Sequence, residues 1–248
     1  MEEVTIIGVD KFLTPNNDNI LCKGIIFSKL GYKVNLFHSN KYEPLNEEKR
    51  KYLATLDNFT IYECDEKMDT EVVSAAIKRS KFVIINPMDY NYDIIAVAKE
   101  LNENVYVDLA NYHSTDYDFI SIGKNTKGTM IISRNKHVLK TNMADQVSKI
   151  SDTVAIIFKS DGEITVYTRE DKNYIKLFID KNDDELYLYS SIFLAGFIYG
   201  YEIKPKDIFE ASHYGTVICD LVTRDGIHAL DSLTPHKLQK EVKIQFGY

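Results

Sequence analysis

Asn16-Asn17-Asp18-Asn19 gathers amides and a carboxylate just beyond a β-branched run, Val4 to Asp10. Such side chains both donate to and accept from hydroxyl groups, so Asn17, Asp18 and Asn19 suit the recognition of a sugar-like molecule; equally, they suit a turn and a helix cap. Asp10 closes the same run. Asp89, with Tyr90 and Tyr92 beside it, follows the apolar run Phe82 to Pro87, and Asp108 and Asn111 follow Val105. Each group stands at the C-terminal end of a strand-like stretch, the place where open α/β sheets hold ligands.

A second chemistry is suggested between Asp180 and Gly200. The acidic turn Asp180-Lys181-Asn182-Asp183-Asp184-Glu185 gives way to an apolar run from Leu186 to Gly200. A helix starting there would offer unpaired N–H groups and a positive dipole end to an anion. The turn carries no glycine to let a backbone close around phosphate. His113 has no second His or Cys at ligand spacing, and Cys22, Cys64 and Cys219 are widely separated, so neither a metal site nor a disulfide framework is expected.

The elements that must position these residues alternate regularly. Val4 to Asp10, Lys33 to Ser39, Phe59 to Cys64, Phe82 to Asn86 and Val105 to Leu109 read as strands. Helical spacing separates them at Ile20 to Leu30, Asn46 to Leu56, Asp69 to Ser80 and Tyr92 to Leu101. This alternation predicts a parallel sheet covered on both faces. Short strands are expected at Phe119 to Ile122 and Thr129 to Ser133, and a helix at Met143 to Ile150. Thr153 to Lys159, Glu163 to Thr168 and Tyr174 to Ile179 then follow closely, with Asp161-Gly162 as a hairpin signal. They predict an antiparallel meander at one edge. Two helices, about Asp184 to Tyr199 and Lys206 to Val222, precede a polar tail that includes Leu230 to Val242.

The order of these parts, and above all Ile192-Phe193-Leu194-Ala195-Gly196-Phe197-Ile198-Tyr199-Gly200, resembles the ribokinase family, the phosphofructokinase-B-type (PfkB) carbohydrate kinases. Phe27-Ser28-Lys29-Leu30-Gly31 is similar to the end of that family's first helix, Val105-Tyr106-Val107-Asp108 to a strand bearing an Asp, and Ser160-Asp161-Gly162 to its Thr-x-Gly-x-x-Gly turn. The resemblance implies a three-layer α/β ribokinase-like fold over residues 1–248 as one domain. It also implies phosphoryl transfer from ATP with Mg to a sugar or other small polyhydroxy compound. Active members use a Gly-Ala-Gly-Asp loop whose N–H groups hold the transferred phosphate and whose Asp takes the hydroxyl proton.

Aligned on Phe193, this chain has Leu188-Tyr189-Ser190-Ser191 in that place. Ser191 then falls at the base position and Ser190 in the anion loop, while an alternative alignment gives the base role to Asp183 or Asp184. By the same resemblance Gly162 and His213 approach the nucleotide, and Asp10, Asn17, Asp18, Asn19, Asp89, Asp108 and Asn111 approach the substrate. Asn17-Asp18 replaces a Gly-Gly pair, Lys159 replaces the turn's glycine, and Val138 stands where an Asn-x-x-Glu magnesium motif would place Glu. Lys11 to Asn19 is shorter than the β lid of larger members. Two readings stay open: a carbohydrate kinase with a degraded catalytic loop, or a catalytically silent relative, a pseudoenzyme, that binds a small molecule or a protein.

The totals bound the partners. The formal charge is −7, with 37 acids against 30 bases, which disfavours a nucleic-acid scaffold. The longest apolar run, Leu186 to Gly200, falls short of the roughly 20 residues that span a bilayer. The acidic start Met1-Glu2-Glu3 lacks the basic and apolar zones of a signal peptide, so a cytoplasmic protein, monomeric or homodimeric, is expected.

Overall fold

The computed structural model describes residues 1–8, 19–40, 45–64, 68–87, 93–109, 122, 130–134, 154–158, 162–177 and 183–247. β1 (Glu3–Gly8), β2 (Lys33–Ser39), β3 (Phe59–Cys64), β4 (Phe82–Ile85), β5 (Val105–Asp108), β6 (Met130–Arg134) and β7 (Val154–Phe158) pair in parallel. β8 (Glu163–Tyr167) and β9 (Lys172–Lys176) add the antiparallel meander. The strand order is β3-β2-β1-β4-β5-β6-β7-β8-β9. Gly162 takes a left-handed φ of 80° between β7 and β8, as the Asp-Gly signal predicts for a hairpin.

Alternation along each strand divides the apolar side chains between two faces. Val4, Ile6, Leu36, Phe82, Ile84, Tyr106, Ile156 and Phe158 meet α1 (Asn19–Lys29), α5 (Asp183–Ile203) and α6 (Ile208–Asp225). Ile7, Phe37, Val83, Ile85 and Val107 meet α3 (Thr70–Arg79) and α4 (Ile94–Leu101). A short α2 (Glu47–Leu53), capped by Asn46, connects β2 to β3. The result is three layers, helix over sheet over helix. Among the described residues no helix is long and apolar enough to cross a membrane.

Two elements differ from expectation. The stretch read as a polar tail forms a 3-10 turn, Ile227–Ser232, and a last helix, α7 (Pro235–Phe246). Thr234 caps α7 through its side chain, Pro235 opens it, and Gly247 ends it in the left-handed region, so ordinary capping chemistry outweighs the polarity of the segment. Helix α5 starts at Asp183 and continues to Ile203, beyond the expected end at Tyr199. The strand read at Phe119 to Ile122, apart from Ile122 itself, and the helix read at Met143 to Ile150 lie outside the described residues.

Candidate functional site

The chain reverses its order across the sheet between β1 and β4. β1, β2 and β3 run outward one way, and β4 onward run the other, so the carboxyl ends of β1 and β4 mark a topological switch point. Register aligns Ile7 with Ile85 and Ile85 with Val107. One residue further on, Gly8, Asn86 and Asp108 stand side by side at the strand ends. His38 pairs with Gly8 on the other flank. Period-two alternation turns all four toward the α1 layer.

Lys23 reaches this row from the inner face of α1. Its Nζ lies 2.6 Å from Asp108 Oδ2 and 3.3 Å from Asn86 Oδ1. Asn86 Nδ2 in turn donates to Asp108 Oδ2 at 3.2 Å, closing a three-residue cluster. Lys23 is 0% and Asp108 2% exposed. Two opposite charges removed from water hold each other only if the geometry is close, and here it is. Gly8 belongs to the same knot: a Cβ there would stand 2.8 Å from Asn86 Cβ, so a larger residue would push Asn86 off Lys23. His38 is buried, with Nδ1 3.3 Å from Asn40 Oδ1. Beside it, Arg50 grips Glu63 through two bonds of 2.9 and 2.6 Å, and these hold the Glu63 carboxyl below the usual range.

Chemically, the cluster offers an ammonium, a carboxylate and an amide at one point of a sheet edge. It can donate to and accept from hydroxyl groups. The outer face of α1 is different in kind. There Leu21, Cys22 and Ile25 line a cavity of about 680 Å³ with α2, Leu188 and the 3-10 turn. Tyr52 donates to Asp231 across it at 2.7 Å. Beside its aliphatic side chains the cavity carries Asn46, Glu48, Lys49 and His228.

The start of α5 lies at the same edge of the sheet. Its far end puts Glu202 against Tyr106 and 4.0 Å from Lys81, beside the amino ends of β4 and β5, so the helix runs back from the carboxyl ends. Residues 188–191 are helical throughout. In an α-helix their N–H groups bond the carbonyls four residues earlier and are not free to bind phosphate. Ser191 is fully buried, and its Oγ meets no hydrogen-bond partner among the described residues. Tyr189 is tied to α6: its Oη accepts from Thr223 Oγ1 at 3.0 Å, and its carbonyl from the Cys219 thiol at 3.6 Å. Leu188 packs against the core and Ser190 is buried. The residues at 188–191 therefore do not fit a transferred phosphate, with or without its magnesium.

The remaining sequence candidates divide. Asp108 joins the cluster, and Gly162 turns at the same sheet edge. Asn19 opens α1, and Asp184 lies in the first turn of α5. His213 sits in the half of α6 nearer the strands' amino ends, where its ring stacks on Phe246 at 3.8 Å. Burial there pushes its pKa down. Asp10, Asn17, Asp18, Asp89 and Asn111 lie outside the described residues. Sequence reasoning missed Lys23, Asn86 and His38. A lysine inside the apolar run Ile20 to Leu30, and polar residues continuing the inward parity of β2 and β4, were the available signals.

No family model matches the chain, and no curated protein matches it. Solved structures do. A nucleoside kinase from Methanocaldococcus jannaschii, an archaeal member of the ribokinase family, is 18% identical over 98% of this chain and 99% of its own, with a TM-score of 0.66. A microbiome-derived acarbose kinase is 12% identical over 97% and 99%, at 0.68. The ribokinase of Giardia lamblia is 12% identical over 98% and 100%, at 0.67. The fold is ribokinase-like, as carbohydrate kinases have it.

Proposed function

We propose that this chain binds a small polyhydroxy compound at the switch-point crevice and does not transfer phosphate to it. The observation that carries the reading is the unbroken helix through residues 188–191, with Ser191 buried in it. Phosphoryl transfer depends on preorganised donors aimed at the moving phosphate, and these residues present a closed ladder and packed side chains instead. Binding is supported by the ammonium, carboxylate and amide gathered at the carboxyl ends of β4 and β5. It is supported too by structural neighbours whose names are those of sugar and nucleoside kinases.

The kinase reading is the alternative. It rests on near-full-length likeness to those enzymes and on Asp184, which stands in the first turn of α5. The two separate in one assay. Calorimetric titration with sugars and polyols, run beside a coupled assay for ADP release with ATP and Mg, is expected to give heat from a polyhydroxy ligand and no sugar-dependent ADP. Sustained ADP release that needs a sugar and is abolished by Asp184→Ala overturns the proposal.

A further inference from the structure

Lys23 is the fully buried lysine among the described residues, and packing does not explain it. Ile20, Ile26 and Phe27, all fully buried, already fix α1 to the sheet. A hydrophobic residue at position 23 would serve that purpose without the cost of desolvating an ammonium. The ammonium carries three donors. One faces Asp108 Oδ2 and one faces Asn86 Oδ1. Among the described residues no third acceptor meets it. A buried donor left without an acceptor is unfavourable, so the third position is one that a ligand oxygen would improve.

We infer that Lys23 is the residue that reads the ligand in the crevice, donating its third N–H to a hydroxyl oxygen, and that the ligand is uncharged. This rests on the binding reading above and narrows it. The charge of Lys23 is already balanced by Asp108 at 2.6 Å. A carboxylate or phosphate brought to the same ammonium would shed its own hydration for a charge that Asp108 already largely cancels, and would set a second anion beside Asp108 where water does not screen it. A neutral hydroxyl takes the vacant N–H and disturbs no charge. It can also donate back to the carboxylate. The cluster thus selects a neutral polyol or sugar over a sugar acid or a sugar phosphate.

The test uses the full chain. Ribose, xylitol and myo-inositol are titrated by calorimetry beside gluconate and ribose 5-phosphate, against the wild type, Lys23→Met and the double variant Lys23→Met/Asp108→Asn. The double variant removes the carboxylate that the single change would strand. In parallel, wild-type protein carrying nitrogen-15 at lysine Nζ reports the slowly exchanging buried ammonium directly, whatever the variants do. The expected result is that a neutral compound binds, the anions bind at least tenfold more weakly, the folded variants lose at least tenfold in affinity, and the buried ammonium signal shifts with ligand. A neutral ligand bound equally well by the variants, or bound with no shift of that signal, overturns the role of Lys23 and leaves the binding reading intact. Preference for the anions overturns the uncharged class alone. Binding of none of these compounds overturns the binding reading, and this inference with it.

Discussion

Gly196 of α5 and Gly215 of α6 touch backbone to backbone: a methyl on Gly196 would stand 2.8 Å from the Gly215 Cα and from the Tyr214 carbonyl oxygen. The two helices are held closer than side chains would permit. Gly196→Ala gains helix propensity of about 1 kcal/mol but meets backbone that cannot rotate aside, an overpacking penalty of about 1–3 kcal/mol or more. Net loss of stability is expected in urea unfolding. Gly24→Ala is the comparison, because its added methyl crowds a side chain, the edge of the Phe59 ring at 2.8 Å, and not backbone. Equal stability of wild type and Gly196→Ala would show that the helices slide apart freely.

The Lys23–Asp108 pair makes a strong asymmetry between single and double changes. Asp108→Asn strands a buried ammonium and is expected to cost about 3–5 kcal/mol. Lys23→Met/Asp108→Asn should recover most of that loss. A double-mutant cycle in urea checks it, and additive losses would mean the two groups do not interact.

Ser191→Asp restores the residue type that the kinase resemblance expects. At a fully buried helical position with no hydrogen-bond partner, an added carboxylate is expected to cost about 3 kcal/mol or more and to confer no phosphate transfer. Thermal unfolding and the ADP assay read the two halves. A variant as stable as the wild type would place residue 191 in an open pocket.

Glu202 gives a pH signature. Burial raises its pKa above the ordinary 4.5, against the opposing hydrogen bond from Tyr106. A carboxyl that binds its proton more tightly when folded favours the folded state below that ordinary value. It loses the advantage as pH rises from 4.5 through the raised value. Wild-type stability is therefore expected to fall across that window more steeply than that of Glu202→Gln. Parallel slopes in urea titrations at several pH values would remove Glu202 as the source.

The layered architecture was legible because its cause is local. β-branched and apolar runs ending in polar residues gave β1 to β5, and Asp161-Gly162 gave the hairpin. Asn46, read as the start of its helix, and Asp69 and Ser80, read as helix residues, turn out to be caps. α7 was present in the signals Thr234-Pro235 and Gly247, yet overall polarity masked it. The cluster of Lys23, Asn86 and Asp108 was half legible. Asp108 announced itself at a strand end, whereas Lys23, inside the apolar run Ile20 to Leu30, went unread. Only the register of β4 and β5, which brings Asn86 and Asp108 together, gives it a reason to face inward. Long-range pairing of that kind leaves no periodic trace.

The extension of α5 back to Asp183 also sets a direction for change in this scaffold. In an open loop, a catalytic function lost by one substitution can return by another. Here a glycine or an acid placed at 188–191 would first have to melt the opening turns of a 21-residue helix and pull Tyr189 from its partners on α6. A helix packed in this way acts as a ratchet: each side chain buried along it raises the barrier to opening a phosphate cradle at that place.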